Sequence, residues 1–366
     1  MKRLLSYLIV ASFLVACGKK VEIIEPPFVF DDNLLQIDSM MQHDADSALQ
    51  MLLSFRVERG FSSEFNDNYH SLILSEALYK TDNPQLNRYR NETFQETSLH
   101  DAMHYFDSLA FRYPDNDDIT MLSARSHYMN GVGYYESDSV VEACKEYLKT
   151  LEIMEDHFDV EKLTGYKAKF MALTYGRLGD LFSDQFMVAP AIDCGKKSLF
   201  YCRIEPTSKY GLANCLFMIG KQFHEIGDKD SASYYYKQAL QSLPDNDNSH
   251  YRGIISTMKL LDYQMGENPE IALDSLRTMS AKTDNYDEKV TRYLTIGYIF
   301  YEEKRYDSAL IYLEKVYNDN DDFLSKMQAA DYLREIYLNQ GDTIKSNHFS
   351  KFLANNTMKE YSIKAK

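Results

Sequence analysis

Two short stretches carry residue types that could do chemistry, and neither completes a site. His100 and His104 lie four residues apart, a spacing that places two imidazoles on one face of a helix, as in many zinc sites. The chain has no H-E-x-x-H sequence, and no third ligand is evident. We therefore expect these histidines to lie on a solvated helix face, and we predict no metal site.

The sequence Gly-Lys-Lys-Ser over residues 195–198 is similar to the end of a phosphate-binding loop. Such a loop needs an earlier glycine, where this chain has Pro190, and it follows a β-strand that is missing here. A surface turn of an α-helix is therefore a better interpretation of these four residues than a phosphate-binding loop. The chain also lacks a G-x-S-x-G sequence and C-x-x-C pairs. We expect a protein that is not an enzyme and needs no cofactor.

Cys17 follows a segment with the character of a secretory signal. Residues 1–16 begin with two basic residues and continue with an apolar run over 4–13, which is too short for a comfortable membrane span. The sequence Leu-Val-Ala-Cys over 14–17 resembles the lipobox of bacterial lipoproteins. This resemblance implies a diacylglyceryl thioether on Cys17, which would become the lipid-anchored N-terminus. The alternative is an ordinary cleaved signal with an incidental cysteine.

The composition excludes several classes of protein. The formal net charge of the 366 residues is −15, and removal of residues 1–16 would make it −17. A chain this acidic is a poor candidate for binding nucleic acid or an anionic lipid surface. The 29 tyrosines and 20 phenylalanines, with only 15 glycines and 8 prolines, favour packed helices. The length favours an elongated array over one compact globule.

Residues 213–244 carry a pattern that the rest of the chain repeats. Its positions are Leu216, Ile219, Gly220, Phe223, Ala232, Tyr236 and Pro244. Their order resembles the tetratricopeptide signature, W-x2-L-G-x2-Y, then A-x3-F, then P, with Leu in place of Trp. The small Gly220 and Ala232 would let two antiparallel helices approach closely, and Tyr236 would help to fill the seam between them. Asp230 and Ser231 are expected to cap the second helix.

The same small residues recur along the chain, each alanine twelve positions after its glycine. The pairs are Gly131 and Ala143, Gly179 and Ala191, Gly220 and Ala232, and Gly297 and Ala309, with weaker copies at Leu260 and Ala272 and at Arg334 and Ser346. The steps of 37 to 48 residues exceed the usual length of about 34, so helices or turns must be lengthened, most of all around 157–167.

The resemblance to tetratricopeptide-repeat (TPR) lipoproteins implies an all-α fold. We expect an α-solenoid of about seven or eight TPR-like helical hairpins over residues 34–356. A signal peptide (1–16) and a lipidated tether (17–33) would precede it, and a polar tail (357–366) would follow.

In TPR proteins the first helices of successive repeats line a concave groove that holds peptides or partner domains. By position, this resemblance implies groove residues Tyr128, Tyr135, Asp180, Asp184, Phe217, Lys221, His224, Leu294, Tyr298 and Tyr301. Tyrosine suits recognition because it offers a large rigid surface with a polar tip. The alternative for each tyrosine is packing between repeats. The family's carboxylate clamp is not predicted, because only Lys221 and Asn214 suggest it.

The resemblance implies a lipid-anchored envelope scaffold that mediates protein–protein interactions, without catalysis and without nucleic acid. We expect it to face the periplasm at the outer membrane, because Gly18, Lys19 and Lys20 follow Cys17 in place of the acidic run of some surface lipoproteins. Two alternatives stay open. One is a periplasmic signalling component related to TPR-containing membrane regulators. The other is a glycan-binding lipoprotein of the starch-utilisation type, which the absence of tryptophan disfavours.

Four cysteines remain in the expected mature chain besides Cys17: Cys144, Cys194, Cys202 and Cys215. Four in so long a chain make no disulfide framework, although secretion would permit disulfides. Cys202 and Cys215 flank one turn between repeats and could meet. We nevertheless expect buried free thiols.

Overall fold

The computed structural model describes residues 28–58, 63–81, 97–244, 249–283, 285–319 and 323–364. Within these ranges the chain forms sixteen α-helices and one short 3₁₀ helix, and no β-strand. The predicted all-α fold is confirmed. The predicted signal peptide, Cys17 and the first part of the tether lie outside the described residues.

The chain divides into two compact units, Met1–Tyr105 and Phe106–Lys366. The helices of the first unit are α1 (Asp32–Met40), α2 (Ala45–Glu58), α3 (Glu64–Lys80) and the start of α4 (Thr97–Arg112). Helix α1 packs against both α2 and α3. Just before α1, the Phe28 and Phe30 rings lie 5.1 and 4.8 Å from the Phe65 ring of α3. The last residues of the predicted tether are therefore packed against a helix.

The second unit contains the end of α4 and then six consecutive helix pairs. They are α5 (Asp117–Glu136) and α6 (Val140–His157), α7 (Gly165–Asp184) and α8 (Val188–Ile204), α9 (Gly211–Glu225) and α10 (Lys229–Gln241), α11 (Ser249–Gln264) and α12 (Pro269–Ala281), α13 (Tyr286–Glu302) and α14 (Tyr306–Asp319), and α15 (Phe323–Asn339) and α16 (Thr343–Lys364). The helices of each pair pack on each other, and successive pairs pack in sequence. This is the α-solenoid of helical hairpins that the repeat pattern predicted.

The turn inside each pair contains one residue with a left-handed backbone. These residues are Asp138, Phe186, Gly227, Gly266, Lys304 and Gly341, with φ between 56° and 99°. At the turn after α9, the Gly227 N–H donates to the His224 carbonyl at 3.0 Å and the Asp228 N–H donates to the Phe223 carbonyl at 2.9 Å. These bonds satisfy the last carbonyls of α9. A turn this short makes the two helices of a pair antiparallel neighbours.

The four glycines of the repeat pattern, Gly131, Gly179, Gly220 and Gly297, are called the ladder glycines and lie where the two helices of a pair face each other. A Cβ added to Gly220 would lie 2.7 Å from the ring of Tyr236, sixteen residues later. The same arrangement recurs at Gly131 beneath Tyr147 and at Gly297 beneath Leu313. At Gly179 the residue sixteen positions on is Gly195, and an added Cβ would meet no atom nearer than 3.6 Å. Three of the four glycines thus make room for a large buried side chain.

The prediction that Asp230 and Ser231 cap α10 is wrong by two residues. Asp228 is the N-cap: its carboxylate accepts from the Ser231 N–H at 3.1 Å and from the Ser231 hydroxyl at 2.7 Å. Asp44 holds Ser47 in the same way before α2, at 3.0 and 2.7 Å. Asp230 lies in the first turn of α10, where a carboxylate favours the positive end of the helix dipole.

The extra length of the early repeats lies in both helices and connections. Helices α5 and α7 have 20 residues each. The connection from α6 to α7 contains the 3₁₀ helix Val160–Lys162, within the segment predicted to be lengthened. The last helix, α16, continues to Lys364, through most of the predicted tail.

Candidate functional site

An open cavity of about 1030 Å³ lies along the first helices of three consecutive pairs, α9, α11 and α13. The turns that follow α9 and α11 complete its walls. The lining residues that carry polar or aromatic groups include Lys221, His224, Glu225, Lys229, Tyr236, Tyr263, Gln264, Glu267, Tyr298, Glu302 and Glu303. The cavity is therefore lined mainly by the first helices of successive pairs.

A chain of hydrogen bonds joins the walls of this cavity. His224 Nε2 lies 2.7 Å from Gln264 Oε1, and His224 Nδ1 lies 3.4 Å from the Tyr236 hydroxyl. The Gln264 side chain also bonds to the Tyr298 hydroxyl. Since Nε2 faces an amide oxygen, Nε2 donates and Nδ1 accepts from Tyr236. The network ties α9, α10, α11 and α13 together and holds the side chains in place before any ligand arrives.

Four tyrosines from three first helices surround Glu302. Tyr263 belongs to α11, Tyr298 and Tyr301 belong to α13, and Tyr332 belongs to α15. The Tyr332 ring centroid lies 5.7 Å from that of Tyr298 and 5.3 Å from that of Tyr301. Burial raises the pKa of all four hydroxyls, that of Tyr332 to about 12, and the nearby Glu302 carboxylate raises each further. The four side chains are therefore neutral phenols at physiological pH.

The cavity lining carries more negative than positive charge: four glutamates against two lysines. Glu267 lies 3.5 Å from Lys259, and Glu303 accepts a hydrogen bond from the Tyr263 hydroxyl at 2.9 Å. Within the described part of the chain, Glu302 has no cation within ion-pair distance. An exposed carboxylate beside four phenols is thus left without a counter-charge.

The predicted groove residues on α9 and α13 lie in or beside this cavity. Lys221, His224 and Tyr298 line it, and Tyr301 belongs to the adjoining tyrosine cluster. Phe217 is partly buried against Tyr236, with ring centroids 5.4 Å apart, and Leu294 is partly buried against the core.

The predicted groove residues on α5 and α7 form a separate group. Tyr128 is buried between the rings of Tyr147 and Phe170, at 5.8 and 5.4 Å, so it packs between repeats. The Tyr135 hydroxyl donates to Asp184 across α5 and α7. Asp180, one turn before Asp184, has a pKa raised by burial, against the opposing charge of Arg177 at 3.5 Å.

Sequence reasoning did not place Tyr263, Glu302 or Tyr332 in the groove. Tyr263 lies three residues after Leu260, in a weaker copy of the repeat for which no groove residue was predicted. Glu302 directly follows the predicted groove residue Tyr301, which was a usable signal. Tyr332 had no such signal, because it comes from the next pair.

A second group of titratable side chains surrounds the buried His127 of α5. Its Nδ1 lies 2.5 Å from Glu146 Oε2, and its Nε2 lies 3.1 and 3.2 Å from the Asp107 carboxylate oxygens. Burial alone would lower the pKa of His127, but the hydrogen bonds and charges of Asp107 and Glu146 outweigh it and raise the pKa to about 9. Ser123 donates to Asp107 at 2.6 Å and not to the imidazole. Both ring nitrogens are occupied, so His127 acts as a buried cation rather than a base or ligand.

The described cysteines, Cys144, Cys194, Cys202 and Cys215, are free thiols. Cys202 of α8 is fully buried, and Cys215 of α9 donates a hydrogen bond to its sulfur. This bond, with others from Thr207, lowers the pKa of Cys202. Cys215 Sγ also lies 3.3 Å from the Ser198 hydroxyl. The two thiols thus meet across the turn between repeats without a disulfide.

The two stretches considered first are helical. The rings of His100 and His104 pack edge to face at 4.4 Å on an exposed side of α4. Across the described ranges, no group of three or more His, Cys, Asp and Glu side chains could hold a metal ion. Residues 195–198 lie inside α8, and the Ser198 hydroxyl is buried and donates to the Ala172 carbonyl at 2.8 Å. Gly195 and Ser198 face neighbouring helices, whereas Lys196 and Lys197 are exposed on the surface of α8.

No protein-family model matches the chain, and no curated protein matches it in sequence. Solved structures match its fold. Apo RapI has a TM-score of 0.59 at 13% identity, with 88% of this chain and 85% of that chain covered. NprR in complex with its cognate peptide NprX has a TM-score of 0.55 at 14% identity, covering 88% and 89%. A Rap protein complexed with Competence and Sporulation Factor has a TM-score of 0.53 at 14% identity, covering 91% and 98%.

At these identities the likeness concerns the fold. Together with the six helix pairs, it defines the chain as a TPR-like helical-repeat protein. Among the helices that the structure describes, none has the length and apolar character required to span a bilayer.

Proposed function

We propose that this protein is a non-catalytic, lipid-anchored scaffold of the cell envelope, which binds an extended segment of a protein or peptide partner. The observation that carries the proposal is the cavity of about 1030 Å³ along α9, α11 and α13. Two of the solved structures with this fold are peptide or factor complexes, those of NprR with NprX and of a Rap protein with Competence and Sporulation Factor. These complexes support the use of the fold for capturing a segment of chain.

The cavity suits recognition better than catalysis. Its tyrosines are large, lose little conformational freedom on binding and keep a polar tip for hydrogen bonds. The network through His224 and Gln264 preorganises the walls, which reduces the entropic cost of binding. Among the lining residues that the structure describes there is no serine or cysteine that could act as a nucleophile, and both nitrogens of His224 are already engaged.

The envelope location and the lipid anchor rest on the sequence at residues 14–17. Metabolic labelling with a palmitate analogue should mark the wild-type protein and should fail for Cys17→Ser, because the thioether forms on that sulfur. Cys144→Ser is the matched control and should label normally. Membrane partition of Cys17→Ser equal to wild type would contradict the anchor. Protease accessibility in intact and permeabilised cells would then test whether the protein faces the periplasm.

In-cell crosslinking followed by mass spectrometry tests the partner. Crosslinking of the wild-type protein should recover one envelope protein. The same partner should not be recovered with the Tyr298→Ala, Tyr301→Ala double variant. Tyr234→Ala removes an exposed tyrosine of α10 outside the cavity lining and should leave recovery unchanged. Equal recovery by all three proteins would contradict binding in this cavity. Circular dichroism of each variant checks that the helices are intact.

A further inference from the structure

The charge of the cavity and the surroundings of Glu302 together indicate what kind of segment would bind. Glu302 ends α13 and projects into the cavity as an exposed carboxylate. Two nearby arginines have partners elsewhere: Arg334 lies 2.7 Å from Asp331 and 2.8 Å from Glu335, and Arg305 pairs with Glu270. A ligand that covers Glu302 must compensate its charge, because a desolvated carboxylate without a partner is costly.

The tyrosines beside Glu302 offer the second half of a cation site. The plane of the Tyr332 ring is inclined by 53° to the Tyr298 ring and by 51° to the Tyr301 ring. Tyr332 therefore does not stack face to face on either ring. Aromatic faces attract ammonium and guanidinium groups, and a carboxylate next to such faces adds a direct ion pair. The phenols stay neutral because their pKa values are raised by burial. All three rings are only partly buried, which leaves surface for a ligand.

The opposite wall does not supply this cation. Lys221 lines the same cavity from α9, but the carboxylate on which its charge acts is Asp180 of α7, whose pKa burial raises. Lys229 donates to the Gln264 carbonyl at 2.5 Å. The described lining has four glutamates and two lysines, and the chain has a net charge of −15. The electrostatic potential at the cavity therefore attracts a basic segment.

We propose that the groove selects a basic partner segment, whose lysine or arginine side chain seats against Tyr298, Tyr301 and Tyr332 and pairs with Glu302. The proposal rests on the proposed function, since it specifies the segment that the same cavity binds. The segment's other residues lie along α11, where Thr257, Leu260 and Tyr263 provide less charged surface.

Three pools of blocked octapeptides test the proposal. Each pool has one fixed central residue, lysine, glutamine or glutamate, and uncharged residues randomised at the other positions. Peptides retained on the immobilised full-length protein are quantified by mass spectrometry. Wild type should retain the lysine pool about tenfold over the glutamine pool, the ratio expected for one favourable charge contact of about 1.4 kcal/mol. The glutamate pool should be retained least.

Two substitutions with the same change in net charge identify the carboxylate. Glu302→Gln should bring the ratio of lysine to glutamine retention close to one. Glu225→Gln removes a glutamate from the α9 wall of the same cavity and should keep most of the preference. Glu302→Lys should shift the preference to the glutamate pool. Circular dichroism and unfolding midpoints check the fold of each variant.

The outcomes separate the two proposals. Equal retention of the three pools by wild type, or an unchanged preference in Glu302→Gln, would overturn the basic-segment inference while leaving peptide binding intact. No retention of any pool, with no partner recovered by crosslinking, would overturn binding in the cavity itself. A selected lysine peptide that binds when free but not as an internal loop of a carrier protein would identify a free peptide as the source.

Discussion

Replacing Gly220 with alanine should destabilise the protein, whereas the same replacement at Gly179 should not. Both glycines lie inside first helices, at the same position of their repeats, and neither has a positive φ. Only their surroundings differ. A Cβ at Gly220 would lie 2.7 Å from two ring carbons of Tyr236, whereas one at Gly179 would find its nearest atoms at 3.6 Å.

The gain in helix propensity from alanine and the cost of overpacking against Tyr236 can be compared as free energies. Alanine in place of glycine in a helix interior contributes about 1 kcal/mol of stability. Non-bonded carbons prefer separations of about 3.5 to 4.0 Å, so the Tyr236 ring would have to move by roughly 1 Å. Tyr236 is fully buried, and overpacking of such a site costs about 1 to 3 kcal/mol. We expect Gly220→Ala to lose about 1 kcal/mol on balance and Gly179→Ala to gain up to about 1 kcal/mol.

Urea unfolding followed by far-ultraviolet circular dichroism measures this difference. The wild type and both variants are compared under one condition, with the denaturant slope checked for a common unfolding transition. The midpoint should fall for Gly220→Ala and stay level or rise for Gly179→Ala. A midpoint for Gly220→Ala at or above that of Gly179→Ala would refute the argument that the ladder glycines make room for the facing ring.

Two titrating sites supply further tests. The pKa of His127 is about 9 in the folded protein against 6.5 in the unfolded chain, so its stabilisation is complete below pH 6.5 and lost as the pH rises through 9. The loss should amount to about 3 kcal/mol in the free energy of unfolding, and it should be absent from His127→Gln; parallel pH curves for the two proteins would contradict it. The Cys202 thiol should ionise below the ordinary cysteine range, because Cys215 and Thr207 donate to its sulfur. Thiolate absorbance should therefore titrate at higher pH in Cys215→Ala than in wild type, whereas Cys144→Ser should leave the titration unchanged.

Much of the fold could be predicted because its determinants are local in the sequence. The twelve-residue spacing of Gly220 and Ala232, and its copies, places small residues where two helices of one hairpin cross. Position within a repeat also sets the helix face, so Lys221, His224 and Tyr298 could be assigned to the groove and do line the cavity. The cap of α10 was misplaced because Asp230 and Asp228 are equally suitable in type, and only the backbone decides which one precedes the helix.

Tertiary structure alone decided which side chains from different pairs meet. Glu302 and Tyr332 belong to α13 and α15, and the Asp107 carboxylate beside His127 comes from α4, outside the pair of α5 and α6. The stacking of one helix pair on the next sets these contacts, and that stacking depends on the sizes of many buried side chains at once. A repeat pattern specifies where a residue lies within its own hairpin. The pattern does not specify which charged or aromatic side chain the neighbouring hairpin places beside that residue. The proposed cation site depends on such contacts between hairpins.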